Sequence, residues 1–357
     1  MALEKTKITV LYDSADATLK PPIVDGKRDK PVLVHEQIAD VLTKRGHHVT
    51  LLPAEPKARA LSAQLEKDQS DVIFNVCESL NWESQHEKHV AALLELLGKP
   101  FTGSTALGLS LAKDKGLAKK LFAFPGLPYP KFSVMEAGKV QWSENLQFPL
   151  FVKPLSEDAS IGIDAKAIVH NIKELLERIS YIHTEFRSAA LIEEYIDGRE
   201  IYVAVLGNEK PVALPIVEWD FSKLSPDQPR IATSEAKWDE ESDAFKAPEI
   251  FPTDIPPSVC KKIQDTAISA YQALQLRGYG RVDMRLKSPP KNENGAQTTP
   301  EHEGAGWEFY IIEANPNPYL DKKAEVALAA QKHGLKYPQL IEYIVELALT
   351  GQPKVAK

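Results

Sequence analysis

The first hundred residues constrain the fold most, because they switch between strand and helix periodicity three times. Ile8–Tyr12 is a short apolar run that reads as a buried strand, and Val34, Ile38, Val41 and Leu42 then recur at helical spacing up to Gly46. His48–Leu52 reads as a second strand, Ala58–Lys67 as a second helix and Asp71–Val76 as a third strand. A third helix, Glu87–Leu97, is stopped by Gly98 and Pro100. Strands joined by helices return in the same direction, so this βαβαβα run predicts a parallel sheet covered by helices.

Beyond residue 101 the pattern changes. Lys113–Phe122 predicts a helix, and Gly126–Pro130 is a rigid turn into the strand Lys131–Met135. Pro149–Pro154, Ala190–Tyr195 and Glu200–Leu206 read as strands around a helix at Ile172–Ile179. Val212–Trp219 is strand-like, Ser222–Pro248 is polar without a period, and a helix is expected over Pro257–Leu276. The strands Gly280–Leu286 and Trp307–Glu313 flank a polar excursion, Pro289–Gly306, expected to be solvated. Helices at Ala324–Lys332 and Pro338–Leu349 close the pattern. This later mixture is α+β, so the fold class is α/β (α+β).

Composition narrows the function. At 357 residues the chain exceeds one ordinary core. Its 43 Lys+Arg against 50 Asp+Glu give a net charge of −7, which argues against nucleic-acid partners, since these need a positive field. No run approaches the roughly 18 apolar residues of a membrane span. The N-terminus has no apolar signal core, so a cytoplasmic location is expected. Cys77 and Cys260 lack zinc-site or redox-pair spacing and are expected to be reduced bystanders. Pro outnumbers Gly 26 to 18, and two of the prolines, Pro316 and Pro318, follow a carboxylate-bearing strand.

Four clusters carry chemistry. In the first, a strand delivers Lys153, and a small-residue turn follows with Ser160, Ile161 and Gly162. One fixed cation beside several neutral donors suits a polyphosphate; the alternative is a solvent lysine before an ordinary turn. In the second, the apolar strand Leu191–Ile196 ends in Glu193 and Glu194, with Glu200 beyond. Such a strand can offer backbone donors and acceptors to a planar base and a carboxylate to ribose hydroxyls, or it is simply an acidic strand end facing water. In the third, alternation puts Arg281 and Asp283 on one strand face, and Glu313 and Asn315 on one face of another. If these strands are neighbours, Asp283, Glu313 and Asn315 converge as oxygen ligands suited to Mg²⁺; the alternative is a surface Arg281–Glu313 salt bridge. The fourth cluster, Asp114-Lys115 with Ser234–Trp238 and its Lys237, offers further cations for phosphate or merely solvated charge.

In this order and spacing the clusters resemble the ATP-grasp superfamily, specifically the D-alanine–D-alanine ligase-like proteins, over nearly the whole chain. Implied is an ATP-grasp fold of three domains: an N-terminal βαβ domain (1–103), a central subdomain (104–189) and a C-terminal subdomain (190–357), with ATP between the last two. The resemblance also assigns roles. Lys115 and Lys153 look like the ATP phosphate lysines, Ser160, Ile161 and Gly162 like the end of a mobile phosphate loop, and Lys237 like the lysine of a second loop near the γ-phosphate. Glu193, Glu194 and Ile196 look like adenine contacts and Glu200 like the ribose ligand. Asp283, Glu313 and Asn315 resemble ligands of two Mg²⁺ ions, with Mn²⁺ able to substitute, and Arg281 resembles the arginine that stabilises the reacting acyl group. The implied reaction joins a small-molecule carboxylate to an amine through an acyl phosphate. Membrane and nucleic-acid partners are not expected, and a homodimer is compatible with the family.

Departures fall in the amino-acid half. The family's N-terminal Gly-Gly-x-Ser-x-Glu segment, whose glutamate holds the first substrate's amine, has no counterpart in Asp13–Pro31. Lys27, Arg28 and Lys30 there are candidates for changed specificity toward an acidic substrate. The family's His-Gly loop is replaced by Val76–Gln85. After Asn315 the family's Thr-Ser-Pro-Gly-Met-Thr is replaced by Pro316-Asn317-Pro318-Tyr319-Leu320-Asp321. A ligase for amino acids or small peptides other than plain D-alanine is therefore expected. The alternatives are D-alanine–D-alanine ligase proper and an ATP-binding protein that has lost ligation.

Overall fold

The computed structural model describes residues 5–14, 33–81, 83–139, 145–157, 160–225, 228, 230–233, 242–289 and 304–351. Lys27, Arg28, Lys30, Lys237 and most of the 289–306 excursion lie outside the described residues.

The N-terminal alternation folds as expected. β1 (Lys7–Asp13) lies between β2 (His48–Ala54) and β3 (Val72–Asn75), parallel to both. Ile8, Val10 and Leu11 of β1 are buried, so both faces of this central strand are covered. The connections run through α1 (Val34–Lys44) and α2 (Ala58–Lys67), and α3 (Glu87–Leu96) follows β3.

The helix expected over Lys113–Phe122 forms as Lys115–Ala123, and a second helix that the sequence reading did not expect precedes it. α4 (Ala106–Lys113) starts at Thr105, whose side chain accepts a hydrogen bond from the Gly108 N–H. Asp114 then adopts an extended conformation that ends α4, and its carboxylate caps α5 (Lys115–Ala123) by accepting from the Leu117 N–H at 2.9 Å.

Two antiparallel sheets follow. The first has the order β4 (Phe132–Met135), β7 (Ala190–Glu194), β5 (Leu150–Pro154), β6 (Ile168–Val169), backed by α6 (Ile172–Tyr181). Thus the strand that opens the segment drawn from residue 190 hydrogen-bonds within the central sheet. The second sheet has the order β11 (Glu249–Ile250), β10 (Val217–Trp219), β8 (Arg199–Leu206), β12 (Tyr279–Lys287), β13 (Glu308–Asn315), with β9 (Val212–Ala213) also on β8. The expected single strand over 212–219 is two, because Pro215 between them has no N–H for a ladder.

α7 (Pro257–Ala273) covers one face of this sheet. On the other, α8 (Glu325–Lys332) and α9 (Tyr337–Thr350) share a core with the N-terminal parallel sheet and its helix α1: Leu340, Ile341 and Ile344 pack with Ile8, Val10 and Ile38. The first strand and the last helix among the described residues are therefore built into one apolar cluster. Among the described residues no helix is long and apolar enough to cross a membrane.

Candidate active site

A cleft of about 670 Å³, partly open to solvent, lies between the two antiparallel sheets. Lys153, Glu193, Glu200, Asp283 and Glu313 line it, together with Ser160, Tyr195, Ile196 and Arg285. The four sequence clusters thus meet in space, apart from the part around Lys237.

Lys115 and Lys153, expected from sequence to face phosphate, are not solvent lysines. Lys115 is 4% exposed and Lys153 2% exposed. Lys153 Nζ stands 3.1 Å from Glu193 Oε2 and 4.0 Å from Glu313 Oε2; Lys115 Nζ stands 3.7 Å from the same Glu313 oxygen and donates to the Glu157 carbonyl at 2.6 Å. Sequence reasoning missed Lys119, which lies one helical turn after Lys115 on the same face of α5. It is 1% exposed, and its Nζ is 2.7 Å from Glu193 Oε1. Burial alone would raise the Glu193 carboxyl, but the charges of Lys119 and Lys153 outweigh it and hold this group below the ordinary carboxylate range. Burial, reinforced by Lys153 and opposed by Glu193, pushes Lys119 down. The Glu193 side chain is therefore a lysine partner, and only its strand backbone is left for a base.

Glu194 is placed outward from this triad, accepting from the Gln147 N–H at 3.2 Å and 3.6 Å from Lys131 Nζ. Glu200 is fixed by three donors: Arg285 Nη1 at 3.1 Å, the Tyr202 hydroxyl at 3.0 Å and the Ala232 N–H at 3.2 Å. Arg285, also missed in the sequence, additionally donates to the carbonyls of Ile196, Gly198 and Arg230 at 3.1, 2.6 and 2.8 Å. It holds the turn carrying Ile196 and Glu200 in one shape. Ser160, at φ 60°, donates from Oγ to the Ala232 carbonyl at 2.7 Å. Gly162, at φ 74°, packs where a Cβ would meet Phe186 and Pro154 at 2.9 Å; Ile161, between Ser160 and Gly162 in the chain, is exposed.

Asp283 and Glu313 are direct cross-strand partners, as are Arg281 and Asn315. Ile312 is an extra residue between Glu313, opposite Asp283, and Ile311, opposite Met284. This β-bulge turns Glu313 toward the lysines. Arg281 is bidentate on Asp283 at 2.7 and 2.8 Å, and Asn315 Nδ2 donates to Asp283 at 3.0 Å. The Arg281–Glu313 salt bridge considered from sequence does not form. Arg281 Nη1 instead faces Glu325 at 3.3 Å, and burial is outweighed by Asp283 and Glu325, so the guanidinium is held well above its ordinary range. Two carboxylates and one amide oxygen at a cleft wall fit a Mg²⁺ ion that keeps water and phosphate oxygens in its remaining positions. Among the described residues no group of three or more His, Cys, Asp or Glu suited to a metal occurs.

Arg281, Glu313 and Asn315 also line a second, wider cleft, bordered by Glu249, Asn317 and Glu325. Asn317 is committed elsewhere: its side chain accepts from the Ser104 N–H and donates to Glu87, both at 2.9 Å. Glu249 Oε2 is buried with no hydrogen-bond partner among the described residues, and burial together with Glu325 pushes its carboxyl up to about 8. No sequence signal marked Glu249 or Glu325.

Comparison with known proteins gives the family. The family described as D-ala D-ala ligase C-terminus matches residues 121–346. The chain belongs to the D-alanine–D-alanine ligase family. Among the relatives, an uncharacterized protein y4sG of Sinorhizobium fredii is 34% identical over 83% of this chain and 77% of its own length. A D-alanine–D-alanine ligase of Desulfotalea psychrophila is 30% identical over 91% of this chain and 92% of its own. The crystal structure of the D-alanine–D-alanine ligase from Bacillus anthracis complexed with ATP superposes with a TM-score of 0.70, covering 96% of this chain and 97% of that one at 21% identity. The fold is the ATP-grasp fold, as the resemblance implied.

Proposed function

We propose that this member of the D-alanine–D-alanine ligase family is an ATP-dependent carboxylate–amine ligase. A substrate carboxylate oxygen attacks the γ-phosphorus of ATP, releasing ADP and giving an acyl phosphate. An amine then adds to the acyl carbon and expels phosphate, losing a proton as the amide forms. The observation that carries the reading is the approach of Lys115 and Lys153 to one oxygen of Glu313, beside Asp283 and Asn315, at the junction of the two clefts.

Lys115 and Lys153 take the phosphates, with Ser160, Ile161 and Gly162 beside them, and Lys237, by its resemblance to the family's lysine near the γ-phosphate, adds a further cation. The strand edge at Glu193, Glu194 and Ile196 takes adenine, and Glu200 takes the ribose. Asp283, Glu313 and Asn315 would hold two Mg²⁺ or Mn²⁺ ions, which supply charge neutralisation for phosphoryl transfer. Arg281 faces the acyl oxygen. No nucleophilic side chain is needed, because fixed cations offset the charge that develops on oxygen.

For the substrates, an amino acid or small peptide other than two plain D-alanines is favoured. Asn317 is tied to Ser104 and Glu87, and Glu325 puts a carboxylate 3.3 Å from Arg281, where a second substrate's carboxylate would be repelled. The names of relatives matched over nine-tenths of the chain favour the second reading, D-alanine–D-alanine ligase proper. Phosphate release screened over an amino-acid matrix, with product masses read afterwards, separates the two. A D-alanyl-D-alanine product at the highest rate supports the second reading. No release with any mixture, despite Mg·ATP binding, would leave only an ATP-binding role.

A further inference from the structure

Lys119 has no role in the scheme above, yet it is among the most deeply buried charges in the chain. Its Nζ sits between two structures that must act together. On one side is Glu193 of β7, 2.7 Å away, whose other oxygen holds Lys153. On the other is the carbonyl of Ile312, to which it donates at 3.0 Å, with the Ile311 carbonyl at 3.5 Å. Ile312 is the bulged residue of β13, so its carbonyl has no cross-strand residue opposite it, and the next residue is Glu313.

We infer that Lys119 is a positioning residue: it clamps the β13 bulge so that Glu313 points at the phosphate lysines, and it shares Glu193 so that Lys153 keeps charge for the nucleotide. The inference rests on the ligase reading of this cleft. The charge arithmetic supports it. Lys119, Lys153 and Glu193 together carry +1, whereas Lys153 and Glu193 alone would carry none, and the pair would close on itself rather than on a phosphate. The helix supplies the geometry, since residues four apart on α5 share a face, bringing Lys115 and Lys119 to the same cleft wall.

The test uses the full-length protein with Lys119→Met, Lys119→Gln and the double variant Lys119→Met/Glu193→Gln. Binding of a non-hydrolysable ATP analogue is measured by calorimetry across a Mg²⁺ titration, beside kcat and KM for ATP. With Lys119→Met, the Mg²⁺ concentration for half-maximal nucleotide binding is expected to rise at least tenfold and kcat to fall more than KM rises. Lys119→Gln, which keeps a donor for Ile312 without the charge, is expected to fall between, and it serves alone if the methionine variant does not fold. Glu193→Gln added to Lys119→Met restores thermal stability but not the Mg²⁺ response. An unchanged Mg²⁺ response in a folded Lys119 variant overturns the inference. So does full recovery in the double variant, which would make Lys119 only a counter-ion to Glu193. Wild-type protein that binds Mg·ATP analogue but releases no phosphate with any substrate would refute the ligase reading instead, while the calorimetric comparison would still decide the role of Lys119.

Discussion

Replacing Arg285 by Met should damage both the fold and nucleotide binding, by an amount the structure allows to be worked out. The wild-type guanidinium donates to three carbonyls, those of Ile196, Gly198 and Arg230, and to the Glu200 carboxylate. Hydrogen bonds from a charged donor contribute roughly 1.5–3 kcal/mol each, so four would sum to about 6–12 kcal/mol if none were replaced. Water can enter from the cleft that Arg285 lines, and Glu200 keeps Tyr202 and the Ala232 N–H. Loss of one partner from a buried ion pair, about 3–5 kcal/mol, is therefore the better guide. At about 2–4 °C per kcal/mol for a cooperative unit of 150–250 residues, the melting temperature should fall by roughly 10 °C. Because the same side chain fixes the turn bearing Ile196 and Glu200, KM for ATP should rise at least tenfold, whereas kcat at saturating ATP should change little. Differential scanning fluorimetry with and without Mg·ATP, alongside initial rates of phosphate release, reads both effects. Wild-type stability together with a wild-type KM would refute this role of Arg285. Arg285→Lys, which keeps the charge but loses the forked geometry, should recover less than half of the loss.

Three further outcomes are expected. Glu313→Ala should reduce Mg²⁺-dependent phosphate release at least a thousandfold while leaving the melting temperature within about 2 °C, since a partly exposed acidic side chain is removed; retained activity in a steady-state assay would refute the metal role. Glu249 takes up a proton more readily folded than unfolded, so its contribution is fully present below pH 4.5 and is lost as pH rises through about 8. Urea melts should show stability declining across that window by up to about 5 kcal/mol, and Glu249→Gln should abolish that slope; an unaltered slope would refute the assignment. Gly198→Ala would put a Cβ 2.5 Å from the Leu286 carbonyl, so it should destabilise by about 1–3 kcal/mol in chemical denaturation, and wild-type stability would refute that contact.

The fold was largely legible because its signals are local. Apolar runs and helical spacing marked nearly every element, and Gly98 and Pro100 marked a boundary. Helix α4 was not, because Gly108 and Ser110 interrupt its short apolar run and only the Thr105 cap marks its start. Site residues on strands were legible through alternation, which paired Arg281 with Asp283 and Glu313 with Asn315. The side-chain direction of Glu193 was not, since it depends on Lys119, 74 positions earlier in the chain and marked only by its i+4 spacing from Lys115. Glu249 and Glu325 reach Arg281 through tertiary packing of β11 and α8, which leaves no local trace. Partners distant in sequence are what single-chain periodicity cannot encode.

Transfer of oxygen from the substrate carboxylate to phosphate tests the ligase chemistry most directly. With a carboxylate substrate doubly labelled with ¹⁸O, an amine acceptor and unlabelled Mg·ATP, attack through an acyl phosphate delivers one ¹⁸O to each phosphate released, and the amide keeps the other. Mass spectrometry of phosphate and product is expected to show that distribution. Phosphate without label, formed while the carboxylate keeps both heavy oxygens, would contradict acyl-phosphate formation at this site.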